Sequence, residues 1–297
     1  MRKTSALSWL VKCAVVAAAL VLACRLATAW IGPALQQPAV TTRDGSLVTL
    51  NRYVQGPAPD VALVGSSVAW RLKEEYFSLP LVRNLALAGG SPVTGLEIVA
   101  KQHSLPKIVL IETNVLSRSV DSALVERFSA GAHADVMLLR PVRTAIAAYE
   151  SWNHAPPDPA QIRADLEQLL RQRPSEFDNR VYLDRAVGEM NAEDPTVATH
   201  ANVARIRELI AEIERRGGRA LLIEIPFSPE IDGSRFVGVT RSIVHGAFPD
   251  PSRWLPIDAP GNELRWADGV HLDERSALLV VRAIEKALAG REGSPRQ

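Results

Sequence analysis

The sequence predicts an α/β fold in which a parallel β-sheet carries helices on both faces. The chain has 297 residues, 47% of them hydrophobic, which is enough for a large buried core. Short apolar runs alternate with longer segments of helical periodicity, as in repeated strand–helix units. The apolar runs lack polar alternation, which is typical of parallel strands buried on both faces. About five strands are predicted, at Val61–Val64, Leu81–Leu85, Pro106–Glu112, Arg219–Pro226 and Trp254–Asp258.

Residues 1–31 are predicted to form a membrane segment. Basic residues at Arg2 and Lys3 precede an apolar run, Cys13–Cys24. Lys12 can extend its ammonium group to the lipid headgroups, so the whole window from Ala6 to Cys24 is long enough to span. Basic flanks stay in the cytoplasm. We therefore expect one anchor in the inner (cytoplasmic) membrane, with the rest of the chain in the periplasm or another extracytoplasmic space.

Two other interpretations of the N-terminus stay open. Ala27-Thr28-Ala29 resembles a signal-peptidase site, and Val21-Leu22-Ala23-Cys24 loosely resembles a lipoprotein box. Under each of the three interpretations the remainder of the chain is exported.

Charge and cysteine content exclude several classes of function. Lys and Arg number 34 against 33 Asp and Glu, so no nucleic acid partner is expected. Both cysteines, Cys13 and Cys24, lie in the membrane segment, which leaves the exported part without a disulfide or a thiolate metal site. Four histidines show no spacing typical of metal ligands: His103, His133, His200 and His245.

Residues 32–59 contain four prolines and scattered polar residues, which predicts a linker with a turn at Asp44-Gly45. The folded domain is expected over residues 60–290, and residues 291–297 are expected to be a flexible tail. Within the domain, helical periodicity predicts helices over residues 70–77, 93–103, 206–216 and 274–289.

Residues 115–196 form a predicted helical insertion. This stretch is too long for an ordinary connection, and we expect it to cover the carboxyl ends of the strands. Three of its aromatic residues can either line a substrate cleft or pack a small core of the insertion: Trp152, His154 and Tyr182. Trp152 is the one proposed here as a substrate contact.

Polar residues follow the predicted strands and converge on one sheet edge, because parallel strands all end there. Ser67 comes directly after the first strand, where it either caps a helix or acts as a nucleophile. A serine hydroxyl needs an imidazole to take its proton and a carboxylate to orient that imidazole. His271 is the predicted base, and Asp268, three residues earlier, is the predicted orienting carboxylate.

Acyl transfer also needs N–H donors for the oxyanion. The predicted donors are the backbone N–H groups of Ser67 and Gly89 and the side-chain amide of Asn114. Glycine suits this place because a bare backbone lets the substrate approach closely.

Four ordered blocks resemble those of the SGNH (GDSL-type) hydrolase superfamily. They are Gly65-Ser66-Ser67, Asn84-Leu85-Ala86-Leu87-Ala88-Gly89, Glu112-Thr113-Asn114 and Asp268-Gly269-Val270-His271. The resemblance implies a flavodoxin-like, three-layer α/β/α fold, no metal or organic cofactor, and ester hydrolysis or acyl transfer by Ser67, Asp268 and His271. It also makes Ser67 a better candidate than Ser66, because the nucleophile of the family occupies the third position of the block.

Two departures from the family pattern are present. Ser66 stands where the superfamily usually has Asp, and Glu112 where it usually has Gly. A Gly-Ser-Ser block behind an N-terminal anchor is similar to the branch that acylates exported polysaccharides and teichoic acids. Glu112 is expected either to crowd the oxyanion region or to bind a sugar hydroxyl.

The leading hypothesis is an O-acyltransferase, acetyl by preference, that acts on an exported polysaccharide or other glycan. Its acyl group would come from a membrane-bound donor protein, as the habits of the family imply. The alternatives are a carbohydrate esterase of the same family and a non-catalytic protein of polysaccharide assembly that retains the fold.

Overall fold

The computed structural model describes residues 6–31, 42–129 and 158–292. Trp152 and His154 therefore lie outside the described residues, as do most of the predicted tail and the first part of the predicted linker. The chain divides into two compact units. The first includes the described residues 6–31 and 42–56, and the second includes residues 57–129 and 158–292.

Helix α1, Ala6–Ile31, is long and apolar enough to cross a membrane. Its first 18 residues, Ala6–Ala23, have a mean hydropathy of 2.2, and none of them is buried inside the protein. Leu7, Leu10 and Val15 each expose more than half of their surface. A helix with apolar residues on all sides and no protein cover suits lipid better than water.

Helix α2, Thr42–Gln55, takes the place of the turn that was expected at Asp44-Gly45. Leu47, Leu50 and Tyr53 recur every three residues and are buried. That spacing is helical, but it is a single stripe in an otherwise polar segment. The helix ends at Gln55, and a Cβ atom on the next residue, Gly56, would lie 2.7 Å from the Arg52 carbonyl oxygen.

The second unit is built on a parallel sheet, as predicted, but the sheet has four strands rather than about five. Its strands are β1 (Val61–Val64), β2 (Val82–Asn84), β3 (Ile108–Glu112) and β4 (Arg219–Ile223), in the order β2-β1-β3-β4. All four residues of β1 are buried. This burial on both faces accounts for the uninterrupted apolar runs in the sequence.

The predicted fifth strand, Trp254–Asp258, is reduced to one parallel bridge between Trp254 and Leu222. Leu255 N–H donates to the Leu222 carbonyl at 2.9 Å. A 3-10 turn, Pro251–Arg253, precedes the bridge, and β4 ends at Ile223, one residue after Leu222. Pairing therefore has no room to extend in either direction.

The helix predicted over residues 70–77 is also shorter than expected. Helix α3 covers only Ser67–Trp70, and a 3-10 turn follows at Glu74–Tyr76. The Asn84 side-chain amide donates to the Ala69 and Leu72 carbonyls, at 2.8 Å each. These carbonyls would otherwise accept bonds from a continuing helix, so Asn84 on β2 provides the reason that it stops.

The other helices of this unit lie between and after the strands in the sequence. They are α4 (Pro92–Ala100), α5 (Ser122–Arg127), α6 (Pro159–Arg171), α7 (Arg180–Ala192), α8 (Thr196–Arg215), α9 (Pro229–Asp232), α10 (Arg235–Ala247) and α11 (Glu274–Glu292). Helix α8 begins ten residues before its predicted start. Helices α5, α6 and α7 lie within the described part of residues 115–196, the stretch predicted to be a helical insertion. Leu166, Leu183 and Val187 pack it against the main core.

Candidate active site

Ser66 and Ser67 occupy different environments at the end of β1. Ser66 is 2% exposed and is the N-cap of α3, where its Oγ accepts from the Val68 N–H at 3.2 Å. Ser67 begins the helix and is partly exposed. The capping role and the nucleophile role proposed for this block thus fall on neighbouring residues.

The turn between β1 and α3 requires Gly65. A Cβ atom there would lie 2.4 Å from the Ala69 Cβ and 2.7 Å from Glu112 Oε2. No side chain is tolerated at such separations. Gly65 therefore permits the close approach of strand, helix and Glu112 that projects Ser67 from the sheet edge.

The structure brings Ser67, His271 and Asp268 together. The Ser67 hydroxyl lies 2.8 Å from His271 Nε2, and Asp268 Oδ2 lies 2.7 Å from His271 Nδ1. An ionised carboxylate can only accept a hydrogen bond, so Nδ1 carries the ring proton and Nε2 accepts from Ser67. This arrangement of nucleophile, base and orienting carboxylate is the one required for a serine to attack an acyl group.

Asp268 also organises the turn that carries His271. Its Oδ1 accepts from the backbone N–H groups of Val270, at 3.1 Å, and His271, at 2.8 Å. Burial raises the pKa of the Asp268 carboxyl, but the hydrogen bonds from His271 and Val270 outweigh this, and the net pKa lies well below its usual value. Asp268 is therefore ionised throughout the neutral pH range.

Helix α7 of the insertion holds the same turn from outside. Asn179, just before α7, donates from Nδ2 to the Trp266 carbonyl at 2.6 Å. Gly269 has a φ of +88°, and a Cβ atom on it would lie 2.7 Å from Leu183 Cδ1. Sequence reasoning missed both contacts. The Asp268-Gly269 pair signals a turn, but not which helix packs on it.

Two of the predicted oxyanion donors remain available. The Ser66 carbonyl, in the same peptide unit as the Ser67 N–H, accepts from Trp70 N–H at 3.1 Å, which fixes that peptide. The turn Gly65–Ser67, which carries the proposed nucleophile, is called the nucleophile turn below. Gly89 lies in a loop held beside it by the Leu87 N–H, which donates to the Gly65 carbonyl at 2.9 Å. Within residues 6–31, 42–129 and 158–292, neither the Ser67 N–H nor the Gly89 N–H has an acceptor.

Asn114 reaches the same sheet edge, but its amide is engaged there. Nδ2 donates to the Ile225 carbonyl at 2.7 Å, and Oδ1 accepts from Ile225 N–H at 2.8 Å. The side chain is buried. An amide nitrogen has two hydrogens, and the Ile225 carbonyl takes only one of them, so the role of Asn114 as an oxyanion donor stays a prediction.

Glu112 has a different place from the one expected. It is fully buried, its Oε2 accepts from Ser66 N–H at 2.5 Å, and its Oε1 accepts from Val115 N–H at 3.2 Å. Burial raises the pKa of this carboxyl, and the surrounding donors counteract only part of that effect. A side chain without exposed surface does not bind a sugar hydroxyl, so the substrate contact predicted for Glu112 is wrong.

No group of three or more His, Cys, Asp or Glu side chains able to hold a metal ion occurs among the described residues. In the comparisons with known proteins, no family model matches the chain, and no curated protein matches it. The function proposed below therefore depends on the residues of the site and the distances between them.

Proposed function

We propose that this chain is an SGNH-type serine O-acyltransferase that moves an acyl group, acetyl by preference, onto an exported polysaccharide or other glycan. The observation that carries the proposal is the hydrogen-bonded series Ser67–His271–Asp268 at the carboxyl edge of the parallel sheet. Residues 204 positions apart meet at 2.8 Å in this series. A structural core has no need of a partly exposed serine bonded to an oriented imidazole.

In the first half of the reaction, His271 Nε2 takes the Ser67 proton as Oγ bonds to the acyl carbonyl carbon. The carbonyl oxygen becomes an oxyanion, which the Ser67 and Gly89 N–H groups and the second Nδ2 hydrogen of Asn114 stabilise. The bond to the donor's leaving oxygen then breaks, and that oxygen takes the proton from His271. An acyl ester on Ser67 remains.

In the second half, a glycan hydroxyl gives its proton to His271 and attacks the acyl-serine. The new ester leaves, and Ser67 recovers the proton. Asp268 accepts from the ring in both halves, so it stabilises the imidazolium each time it forms. No metal or organic cofactor takes part in this sequence.

The proposed fold is the flavodoxin-like, three-layer arrangement, in which a single bridge at Trp254 stands in the place of the fifth strand. The strand order β2-β1-β3-β4, together with the Leu222–Trp254 bridge beyond β4, supports it. In such sheets the crevice lies where the strand order reverses, beside the first strand. Ser67 follows β1, the strand at which this order reverses.

The proposed location is the periplasm or another extracytoplasmic space, with α1 as the inner-membrane anchor. Arg2 and Lys3 before α1 support a cytoplasmic N-terminus. Because soluble acyl carriers are absent from such a space, the acyl donor would be a membrane-bound partner protein.

Ester hydrolysis is the second candidate, because the His271 side chain is 23% exposed and that of Asp268 is 42% exposed. Water can then compete with the glycan for the acyl-serine. Comparing acetate release in water with acetyl transfer to a bare polysaccharide decides between the two activities.

A fluorophosphonate probe tests the nucleophile directly. The intact protein should be labelled, Ser66→Ala should keep the label, and Ser67→Ala should lose it. Absence of labelling on the intact protein would contradict the proposal and favour the non-catalytic alternative.

A further inference from the structure

Glu112 contacts two loops of the site from the interior of the protein. It is the last residue of β3, and each of its carboxyl oxygens accepts from a different loop. Oε2 accepts from Ser66 N–H in the turn that carries Ser67, and Oε1 accepts from Val115 N–H in the loop that carries Asn114. One carboxyl group thus contacts the residues next to both a proposed nucleophile and a proposed oxyanion donor.

The surrounding chain makes room for this group. Gly65 lacks the Cβ atom that would lie 2.7 Å from Glu112 Oε2. Burying a carboxyl group is costly, and a neutral residue would fill the space at lower cost. Packing alone therefore does not explain an acidic residue here, whereas the need for two acceptor oxygens does.

We propose that Glu112 is a positioning residue that sets Ser67, with its N–H, against the Asn114 loop, so that both reach the same substrate oxygen. The inference rests on the proposed function. Glu112 itself touches no substrate, since it has no exposed surface. It acts through the peptide unit before Ser66, which it holds by the N–H.

Two substitutions separate this role from packing. Glu112→Gln keeps the shape of the side chain but leaves only one acceptor oxygen. Its NH₂ group then faces one of the two backbone N–H groups and cannot accept from it. Glu112→Asp keeps both oxygens but is one methylene shorter, so it cannot reach both loops. Each variant therefore loses one of the two hydrogen bonds to backbone N–H groups, the first by losing an acceptor and the second by losing reach.

The matched control is Thr113→Val. Thr113 is the next residue, is also buried, and its hydroxyl donates to the Ile223 carbonyl at 3.0 Å rather than to the nucleophile turn. The Thr113→Val variant therefore shows how far activity falls when a buried hydrogen bond is lost at the same sheet edge without a change in the nucleophile turn.

The experiment measures the rate of fluorophosphonate labelling at Ser67 and, with an acetyl ester, kcat and KM, on the full chain in detergent. We expect labelling and kcat to fall about tenfold to a hundredfold in Glu112→Gln and Glu112→Asp, with KM unchanged, and to change less than threefold in Thr113→Val. Equal rates in all variants, with the wild type labelled, would overturn the inference and leave the proposed function intact.

Hydrogen exchange provides the second measurement and does not depend on activity. Faster exchange of the amides of residues 65–70 and 113–116 in Glu112→Gln, but not in Thr113→Val, supports the two-loop contact even if the wild type is not labelled. In that case the proposed function fails while the positioning of the loops stands. Unchanged exchange in Glu112→Gln would overturn the positioning role itself.

Discussion

The turn that carries Ser67 and the turn that carries His271 are held in place in different ways. The nucleophile turn links a buried strand to a helix, and its peptide groups bond to Glu112 and to the Trp70 N–H at the end of α3. The turn Asp268–His271, called the base turn below, is more exposed than the nucleophile turn. The carboxylate of Asp268 holds it together by accepting from two of its backbone N–H groups. Helix α7, from the insertion, covers it from outside.

This difference indicates which part of the site can be disturbed without loss of the fold. The nucleophile turn shares its contacts with the core of the sheet, so a change there affects folding. The base turn depends on a few local contacts, so a change there should affect catalysis first.

The largest effect should follow Asp268→Asn. The amide cannot hold the imidazole in the required tautomer, so kcat for ester hydrolysis should fall by about 10⁴-fold while the protein stays folded. Asp273→Asn is the matched control, because Asp273 Oδ1 accepts from Ser276 N–H at the start of α11 and is not bonded to His271. A similar loss of kcat in Asp273→Asn would contradict the role given to Asp268.

Glycine substitutions should separate the two turns. Gly65→Ala places a methyl group 2.4 Å from the Ala69 Cβ and should lower the free energy of unfolding by about 3 kcal/mol. Gly269→Ala places a side chain on a residue with a φ of +88°. It should lower the free energy of unfolding by about 1–3 kcal/mol and also lower kcat.

Gly188→Ala provides the control for both glycines. It lies inside α7 with no atom within 4 Å of the added Cβ, so it should stabilise the protein by up to about 1 kcal/mol. Thermal denaturation of the three variants checks the order, and a Gly65→Ala variant as stable as the wild type would contradict the contrast.

The contact of α7 with the base turn should have a smaller effect. Leu183→Ala removes the side chain packed on Gly269 and should lower kcat by about three- to tenfold, below the cost of about 10²-fold for a 1 Å displacement. Val181→Ala, on the same helix and 80% exposed, should leave kcat unchanged. Equal kcat values for the two variants would show that α7 does not position His271.

The smallest effect is on stability at acid pH. His271 and Val270 hold the pKa of Asp268 below its usual value. As the pH falls, the unfolded chain therefore binds more protons than the folded chain does. Asp268 should therefore stabilise the fold above its unfolded pKa of 3.8, and this stabilisation should be lost as the pH falls further. Urea unfolding at several pH values should show a weaker acid dependence in Asp268→Asn.

Much of the site could be predicted from sequence because its parts follow strands. Apolar runs ending in Gly65-Ser66-Ser67 and in Glu112-Thr113-Asn114 mark two carboxyl ends of a parallel sheet, and these ends share an edge. Asp268 and His271 are three residues apart, which is close enough for one turn to join them. These are local patterns, and local patterns are visible in a sequence.

Elements that depend on distant partners could not be predicted. Helix α3 ends early because Asn84 captures its carbonyls, and the fifth strand fails because β4 ends beside it. Helix α2 was missed because its apolar stripe is narrow. The role of Glu112 was predicted wrongly because sequence gives no measure of its burial.

The spacing of apolar and polar residues along the chain was enough to predict the parallel sheet, the long apolar helix α1 and the order of the polar blocks. Only the folded chain reveals that Ser67 meets His271, which side chains hold the two turns, and that Glu112 faces the protein interior. Hydrogen bonding and burial depend on separation in space, which for Ser67 and His271 bears no relation to their separation in sequence.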